Sequence, residues 1–536
     1  MQFNFTIFRN DDVSFDTHVG HFKQFCDVFH RAGYVQLHGI NLYGRTNCRY
    51  IIDGVPAMYD TIAPADTHNY EILKSVATDF IGDNKELIDY INKSPDHVAL
   101  HGLYHSDYSL MSYEQQESDI KEGLRLLHML FPDKKIDTFI APFNRTNECT
   151  WQVCKKYGLR ISAEEGQHLE DMIHGQYGEI KKGQLYRYHH HRFYPESTFA
   201  YYDLSIEKLE SYLSQFKNNK PRICLLCDRP DWAHDHSAQE LVRTLSDEFT
   251  FDIKYVVDDP EVRAKFYDAI LVFFWGEELY KKYHFAKKKV IKQVSSHRWQ
   301  DNPQFGPCTP LEFCNKYLKD SGIIICPSRI LYNLLQPFCK NLFLCGKGYS
   351  PLKFYYKKIR KGKMSLCMVG NIADPVKGVN DILIPAADRY QLDMKQDMKH
   401  EELCDFYNLH DIYVVSSLHE ADPLPLLESM ACGCFPVATA IGIVPELIRH
   451  KENGYIVSER SVEAFREAFQ WCNENLDYIR EQGKKNANEI YQIRRWSVMA
   501  ENYRKMFRKC IQIQKRKYGK MGELKSLWKK CIIRRN

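Results

Sequence analysis

The chain is predicted to be an α/β protein built from three parallel-sheet domains: a (β/α) barrel-like domain followed by two Rossmann-like domains. Three observations predict this. At 536 residues the chain is too long for one hydrophobic core. Short apolar runs alternate with stretches of helical period, the pattern of strands feeding crossover helices. The alternation also restarts twice, after the polar segment Lys217-Asn-Asn-Lys-Pro221 and again at Ser365.

In residues 1–203, Phe3–Phe8, Tyr34–Leu37, His97–Leu100 and Thr138–Ile140 read as strands, and Glu114–Leu130 and Thr150–Tyr157 as helices. Residues 204–220 read as a connecting helix, Leu204–Phe216, and a linker. Residues 221–350 open on the strand Arg222-Ile-Cys-Leu-Leu226 and continue through Phe251–Val257, Ala269–Phe274, Val290–Val294 and Ile323–Cys326. Residues 351–503 repeat the pattern with Ser365–Gly370, Ile412–Ser416 and Phe435–Ala438, giving two successive Rossmann-like halves.

Residues 504–536 differ from the rest. They carry 13 Lys/Arg against one acid, a local charge of +12 that leaves the remainder at −8. Phe507, Cys510, Ile511 and Ile513 alternate with the bases, and Leu524, Leu527, Trp528, Ile532 and Ile533 do so again. A basic amphipathic tail fits an anionic membrane surface, with a solvated helix closing the second Rossmann half as the alternative. No domain supports nucleic acid as a partner. The cysteines are scattered, Met1-Gln2-Phe3 runs directly into a core strand, and no stretch reaches the length of a membrane span. The expected setting is cytoplasmic, peripheral at the inner face of the membrane, with free thiols.

Two groups of residues carry chemistry. Asp11-Asp12 follows the first strand, where functional side chains gather at the carboxyl ends of parallel strands. His101 and His105, at i and i+4, follow the strand His97–Leu100. One carboxylate and two imidazoles leave coordination positions open on a divalent metal, the layout of a catalytic site. His18, His21 and His38 read as surface or substrate-loop residues.

The first 200 residues resemble the polysaccharide deacetylases of the NodB-homology type. The resemblance implies Asp11 as general base and Asp12, His101 and His105 as ligands of a metal, usually zinc. The family's third motif, R-x-P-[YF], corresponds to Ile140-Ala141-Pro142-Phe143, so its arginine is missing, with Asn144 and Arg145 as stand-ins. The late general-acid histidine falls in Tyr186-Arg-Tyr-His189-His190-His191. Alternation along a strand puts His189 and His191 on one face. His191 is the assignment, with His189 and His190 open. Asn144-Arg145-Thr146 reads as a chance glycosylation match.

In the last third, Val414–Glu420 runs from a strand into a loop and Pro425–Ala431 begins a helix. Glu420 at the loop and Glu428 on the helix can flank one ligand, and helix amino termini nearby receive a diphosphate. Gly370 ends the strand before, and Lys377-Gly378 supplies a cation.

Pro221 to Tyr503 resembles the retaining glycosyltransferases of the GT-B fold, family four, whose E-x7-E motif matches Glu420 and Glu428. Thr439–Glu446 and Asn453-Gly454 continue the family's pattern. The resemblance implies a nucleotide-sugar donor held by Gly370, Lys377 and Glu428, with Glu420 at the sugar. It also implies a lipid-linked or saccharide acceptor. The lysine's usual arginine partner is replaced around Asn371, and Phe274-Trp275-Gly276 stands where many members carry an acceptor-side histidine. Together the two resemblances imply a bifunctional enzyme of surface glycan assembly, which transfers an N-acetylhexosamine with retention and removes an N-acetyl group. The alternative is a transferase with a non-catalytic carbohydrate-binding domain in front.

Overall fold

The computed structural model describes residues 7–44, 51–52, 55–56, 69–163, 166–173, 180–181, 184–194, 204–216, 220–276, 286–300, 307–357, 360–396 and 398–533; of 51–52, 55–56 and 515–533 it describes the backbone only. The start of the expected first strand (residues 3–6) and linker residues 217–219 lie outside the described residues. So do the side chains of Leu524, Leu527, Trp528, Ile532 and Ile533. Two compact units divide the chain, Met1–Lys220 and Pro221–Asn536.

The first unit is built on a seven-stranded parallel sheet. In chain order the strands are β1 (Ile7–Val13), β2 (Gln36–Ile40), β3 (His97–Leu100), β4 (Thr138–Ile140), β5 (Arg160–Ser162), β6 (Gln167–His168) and β7 (Leu185–Tyr188). In space they run β6-β7-β1-β2-β3-β4-β5. The sheet is strongly curled. β1 and β5 stand four places apart, about 19 Å in a flat sheet, yet Arg9 of β1 hydrogen-bonds Ser162 of β5 at 3.1 Å. Around it lie α1 (Val19–Arg31), α2 (Tyr113–Leu130), α3 (Glu148–Lys156), α4 (Leu169–Ile173) and α5 (Ile206–Gln215). Helix α2 starts on a Ser112/Gln115 capping box and α3 on an Asn147/Thr150 one, so both amino termini are satisfied by side chains. Between α1 and the sheet, Phe8 meets Phe29 edge-on at 5.0 Å and Phe29 stacks on Tyr188 at 5.3 Å.

The acidic pair does not follow the first strand as expected but lies within it. The β1–β2 register slips between Asn10 and Val13, and Asp12 takes φ 61°. This bulge re-aims the two carboxylates, which a regular strand would send to opposite faces.

The second unit holds two parallel sheets. The first, ordered β9-β8-β10-β11-β12-β13, uses β8 (Arg222–Cys227), β9 (Thr250–Tyr255), β10 (Ala269–Val272), β11 (Val290–Gln293), β12 (Ile323–Cys326) and β13 (Leu342–Leu344). Its central strands are buried along their length, as in Ile323-Ile-Ile-Cys326, which is why they read as unbroken apolar runs. Helix α6 (Ala233–Leu245) follows β8. The second sheet, ordered β15-β14-β16-β17-β18, uses β14 (Ser365–Val369), β15 (Gln391–Lys395), β16 (Ile412–Val415), β17 (Phe435–Thr439) and β18 (Tyr455–Val457), with α7 (Leu424–Ala431) and α8 (Leu476–Arg494). The chain crosses between the halves twice, and the crossings lie side by side: Tyr349 bridges Arg495, and Tyr349 N donates to Arg494 O at 2.9 Å.

Helix α9 (Trp496–Ile533) corrects one expectation. Phe507, Cys510 and Ile511, part of the predicted membrane-facing stripe, are buried with Leu225, Leu241 and Phe249 in the core of the first Rossmann half. Ile513 packs against the same cluster. An amphipathic period is the same whether its apolar face meets lipid or protein; here, through Gln514, it meets protein. Among the described residues no helix is long and apolar enough to cross a membrane. The described cysteines are free thiols. Cys224 and Cys227, a C-x-x-C pair on β8, face opposite sides of the sheet in separate clusters.

Candidate functional sites

In the first unit the candidate residues converge at the carboxyl ends of the strands. Asp12 Oδ1 lies 3.2 Å from His101 Nε2 and 2.9 Å from His105 Nε2, and Asp12 Oδ2 lies 3.4 Å from His189 Nε2. The ligand atoms of Asp12, His101 and His105 all fall within 4.8 Å of one another. Two ligands of one tetrahedral zinc, bonded at about 2.0–2.1 Å, stand about 3.3 Å apart, so the triad fits a single ion. His101 Nδ1 faces the Ile140 carbonyl at 2.9 Å, which places the proton on Nδ1 and turns Nε2 toward the ion.

The electrostatics agree with a cation site. Burial alone would raise Asp12, but the charge of His105 and hydrogen bonds from His101 and His105 hold its carboxyl well below the usual range. Burial alone would lower His101, yet its hydrogen bond to Asp12 and the charges of Asp11 and Asp12 raise it.

Backbone strain concentrates here. Asp12, His105, Phe143 and Asn144 have φ of 61°, 58°, 56° and 56°, a left-handed conformation that L-residues adopt only when their surroundings impose it. Gly102, at φ 82°, gives the His101–His105 loop its turn, and Asp119 on α2 holds that loop by accepting from Leu103 N at 3.0 Å and from the Tyr108 hydroxyl.

Asp11 is buried. Arg9 Nη2 holds its Oδ2 at 2.7 Å, while Oδ1 is buried without a hydrogen-bond partner among the described residues. Of the two expected stand-ins for the absent arginine, Asn144 accepts from Arg9 Nη2 at 2.9 Å, whereas Arg145 turns away to pair with Asp107 at 2.8 Å.

It is His189 that comes to Asp12, whereas His191, the expected acid, has its ring centre 5.5 Å from those of His189 and His190. Strand alternation does not extend this far, because β7 ends at Tyr188 and a turn of 3-10 helix begins at His190. Behind His189 stands Glu170 of α4, a buried carboxylate missed in the sequence, which accepts from His189 N at 3.2 Å and faces its Nδ1 at 4.0 Å. Burial pushes His189 down to about 4, against the pull of Asp12 and Asp11.

His38, expected at the surface or in a substrate loop, is fully buried in a chain of hydrogen bonds. Asn10 Oδ1 accepts from His190 N at 3.2 Å, so Asn10 Nδ2 faces His38 Nδ1 at 3.3 Å. His38 Nε2 then donates to Asp96 at 3.2 Å, and His30 meets Asp96 at 3.0 Å. Cys26, His38 and Asp96 lie close enough for a metal, but with its proton on Nε2, His38 has no lone pair to offer one.

In the second unit, Gly370, Lys377 and Glu420 come together. Gly370 has φ 148°, open to glycine alone, and a side chain there would meet Lys377 Cε at 3.7 Å. The Lys377 ammonium pairs with Glu420 Oε1. Gly378, at φ 65°, ends the short turn that carries Lys377. Lys377 and Glu420 line a cleft with Ser416, Ser417 and Pro425. Glu428, on α7 and buried, lines a neighbouring cleft and accepts from His400 Nε2 at 3.0 Å; His400 stacks on His236 of the first half at 4.3 Å. Neither histidine stood out in the sequence. Asn371, where the arginine is absent, caps its own loop by accepting from Ala373 N at 3.0 Å.

Residues 347–489 match the family model of glycosyl transferases group 1, and residues 56–162 match that of polysaccharide deacetylase. The second match includes His101 and His105 but neither the Asp11-Asp12 pair nor His189. No curated protein matches the chain. Among solved structures, a sucrose-phosphate synthase from Thermosynechococcus elongatus is 16% identical over 55% of this chain and 100% of its own, with a TM-score of 0.46. HepE from Anabaena, in complex with UDP and glucose, is 11% identical over 54% of this chain and 100% of its own, with a TM-score of 0.42. TarM from S. aureus is 15% identical over 45% of this chain and 56% of its own, with a TM-score of 0.38. The chain thus carries a polysaccharide deacetylase domain and, after it, a group 1 glycosyl transferase domain that occupies the second of two Rossmann-like halves, arranged in the GT-B manner.

Proposed function

We propose that the chain is a bifunctional enzyme of surface glycan assembly. The second unit transfers an N-acetylhexosamine from a nucleotide sugar, with retention, to a saccharide or lipid-linked acceptor. The first unit hydrolyses the N-acetyl group of an amino sugar. The observation that carries the hydrolase is the convergence of Asp12, His101 and His105 beside a buried carboxylate, Asp11, with one oxygen tied and the other without a hydrogen-bond partner among the described residues.

Asp12, His101 and His105 would hold a divalent metal, zinc by the donor set, which when bound polarises the acetyl carbonyl and lowers the pKa of a water. Asp11 Oδ1 takes the proton of the attacking water as its oxygen bonds to the acetyl carbon. The C–N bond then breaks, the amine nitrogen takes up a proton, and acetate leaves. That proton is the one Asp11 collected, and we take His189 to pass it on: its Nε2 faces the cluster, Glu170 holds its backbone N, and its lowered proton affinity leaves it neutral until then.

In the transferase, Lys377 carries the charge of the leaving diphosphate, Glu428 accepts from ribose hydroxyls once His400 yields, and Glu420 faces the sugar. The basic residues 515–536 make the inner face of an anionic membrane the expected place of work.

The test is acetate release from the transferase product, with metal analysis. The expected result is one metal per chain and loss of both metal and acetate release in Asp12→Ala and His105→Ala. A metal-free wild-type chain that hydrolyses donor but releases no acetate would leave the first unit as a carbohydrate-binding module. Donor hydrolysis untouched by Glu428→Gln and Lys377→Ala would overturn the transferase assignment.

A further inference from the structure

Arg9 is the largest charged side chain wholly inside the first unit. It stands two residues before Asp11 on β1 and points with it into the lumen of the curled sheet. Its guanidinium spans that lumen. Nη2 donates to Asp11 Oδ2 at 2.7 Å and to Asn144 Oδ1 at 2.9 Å, and Nη1 donates to Ser162 Oγ at 3.1 Å and Ser162 O at 3.3 Å. Asn144 follows β4 and Ser162 ends β5, so one rigid planar group ties the acid's strand to two strands across the sheet. Asn144 reaches it from a left-handed backbone, φ 56°.

A buried arginine is costly unless its arms are matched and an anion is near. Here both terminal nitrogens are matched and the anion is Asp11, while Nε is buried without a hydrogen-bond partner among the described residues; the Nη2 contact fixes the carboxylate in rotation as well as position. With Oδ2 held, Oδ1 has one direction left, and it makes no hydrogen bond to any described residue. A lysine in place of Arg9 would supply the charge but not the planar fork that serves acceptors on three residues at once.

We infer that Arg9, anchored by Asn144 and Ser162, is the positioning residue that aims Asp11 Oδ1 at the attacking water. The inference rests on the hydrolase reading above. It places the aiming cation on the strand of the base itself; the third motif has Ile140 where the family carries its arginine. Asn144 and Ser162 thereby gain a part in catalysis without touching the substrate.

The test uses the full chain with Arg9→Ala, Arg9→Lys and Asn144→Ala. Measured are acetate release, metal content, donor hydrolysis as a control for the second unit, and the crystal structures of wild type and Arg9→Ala, which also report the folding of the first. In Arg9→Ala, kcat should fall about 10²-fold, the cost of misplacing a catalytic group by about 1 Å, with KM and metal content kept. Added guanidinium should restore part of the rate. Arg9→Lys should stay about tenfold down, and Asn144→Ala should fall between that and wild type. In the Arg9→Ala crystal the Asp11 carboxylate should rotate while Asp12, His101 and His105 keep their places. A folded, metal-loaded Arg9→Ala that retains kcat within threefold overturns the inference, as does an Asp11 that does not move. If wild type releases no acetate, the hydrolase reading fails, and the Asp11 orientation in the two crystals still decides whether Arg9 aims it. If Arg9→Ala does not fold, Arg9→Lys decides: full activity there overturns the fork.

Discussion

Asp12 and His105 meet at 2.9 Å, and both are held in left-handed backbone, φ 61° and 58°. The contact between two metal-ligand candidates is thus made by two residues in a conformation that costs an L-residue about 1–2 kcal/mol. Strain that persists at a site is supported by the structure around it.

Substituting His105 two ways separates strain from chemistry. His105→Gly and His105→Ala delete the same imidazole, but only glycine adopts φ 58° freely. The glycine variant should be the more stable by about 1 kcal/mol in denaturant melts of metal-free protein, and both should lose metal on titration. Equal stability of the two would show that the left-handed backbone is not strained.

The three consecutive histidines differ in reach. A positioned general acid contributes about 10²–10⁴-fold. His189→Ala should therefore lower the rate of acetate release at least 10²-fold, and His191→Ala less than about tenfold. Equal losses would return the proton donor to His191.

The Lys377–Glu420 pair predicts an unusual gain. In the free protein the ammonium is neutralised by the glutamate, so a diphosphate competes with it. Glu420→Gln should bind UDP several-fold more tightly in calorimetry while transfer is lost, and Lys377→Ala should bind UDP more weakly. A Glu420→Gln variant with weaker UDP binding would exclude this competition.

Asp119, which carries the loop between His101 and Tyr108, is raised by burial from 3.8 to about 6, against hydrogen bonds from Tyr108 and Leu103 that lower it. A carboxyl raised on folding holds its proton more tightly in the native state. Its contribution is present below pH 4 and is lost as pH rises through about 6, on the order of 3 kcal/mol in all. Asp119→Asn should remove this dependence, so its melting temperature should overtake that of wild type as pH rises from 4 to 7. Parallel curves would exclude a raised Asp119.

Much of this was legible in the sequence. Unbroken apolar runs announced the buried parallel strands, and the acidic pair, the H-x-x-x-H spacing and the E-x7-E segment pointed to the candidate sites. What stayed hidden was set by three-dimensional neighbours. Arg9 belongs to no motif, and the expected strand, Phe3–Phe8, stopped short of it, whereas β1 runs on through Val13. Glu170 and His400 meet their partners across loops whose course no spacing reveals. His189 was separable from His191 only once the end of β7 was fixed. The stripe Phe507–Ile513 has one periodicity and two physical explanations, and only packing distinguishes them.

That packing has a consequence for how the protein is made. Tyr503, Met506, Phe507 and Cys510 of α9 complete the core that begins at Ile223. A ribosome delivers the first Rossmann half early and its last wall only after the whole second half has emerged. Until then the nascent chain presents an open apolar face, the kind of long-range closure that slows folding and invites aggregation. The two halves are accordingly obliged to mature together, and a chain broken off before α9 would be a client for chaperones rather than a smaller enzyme.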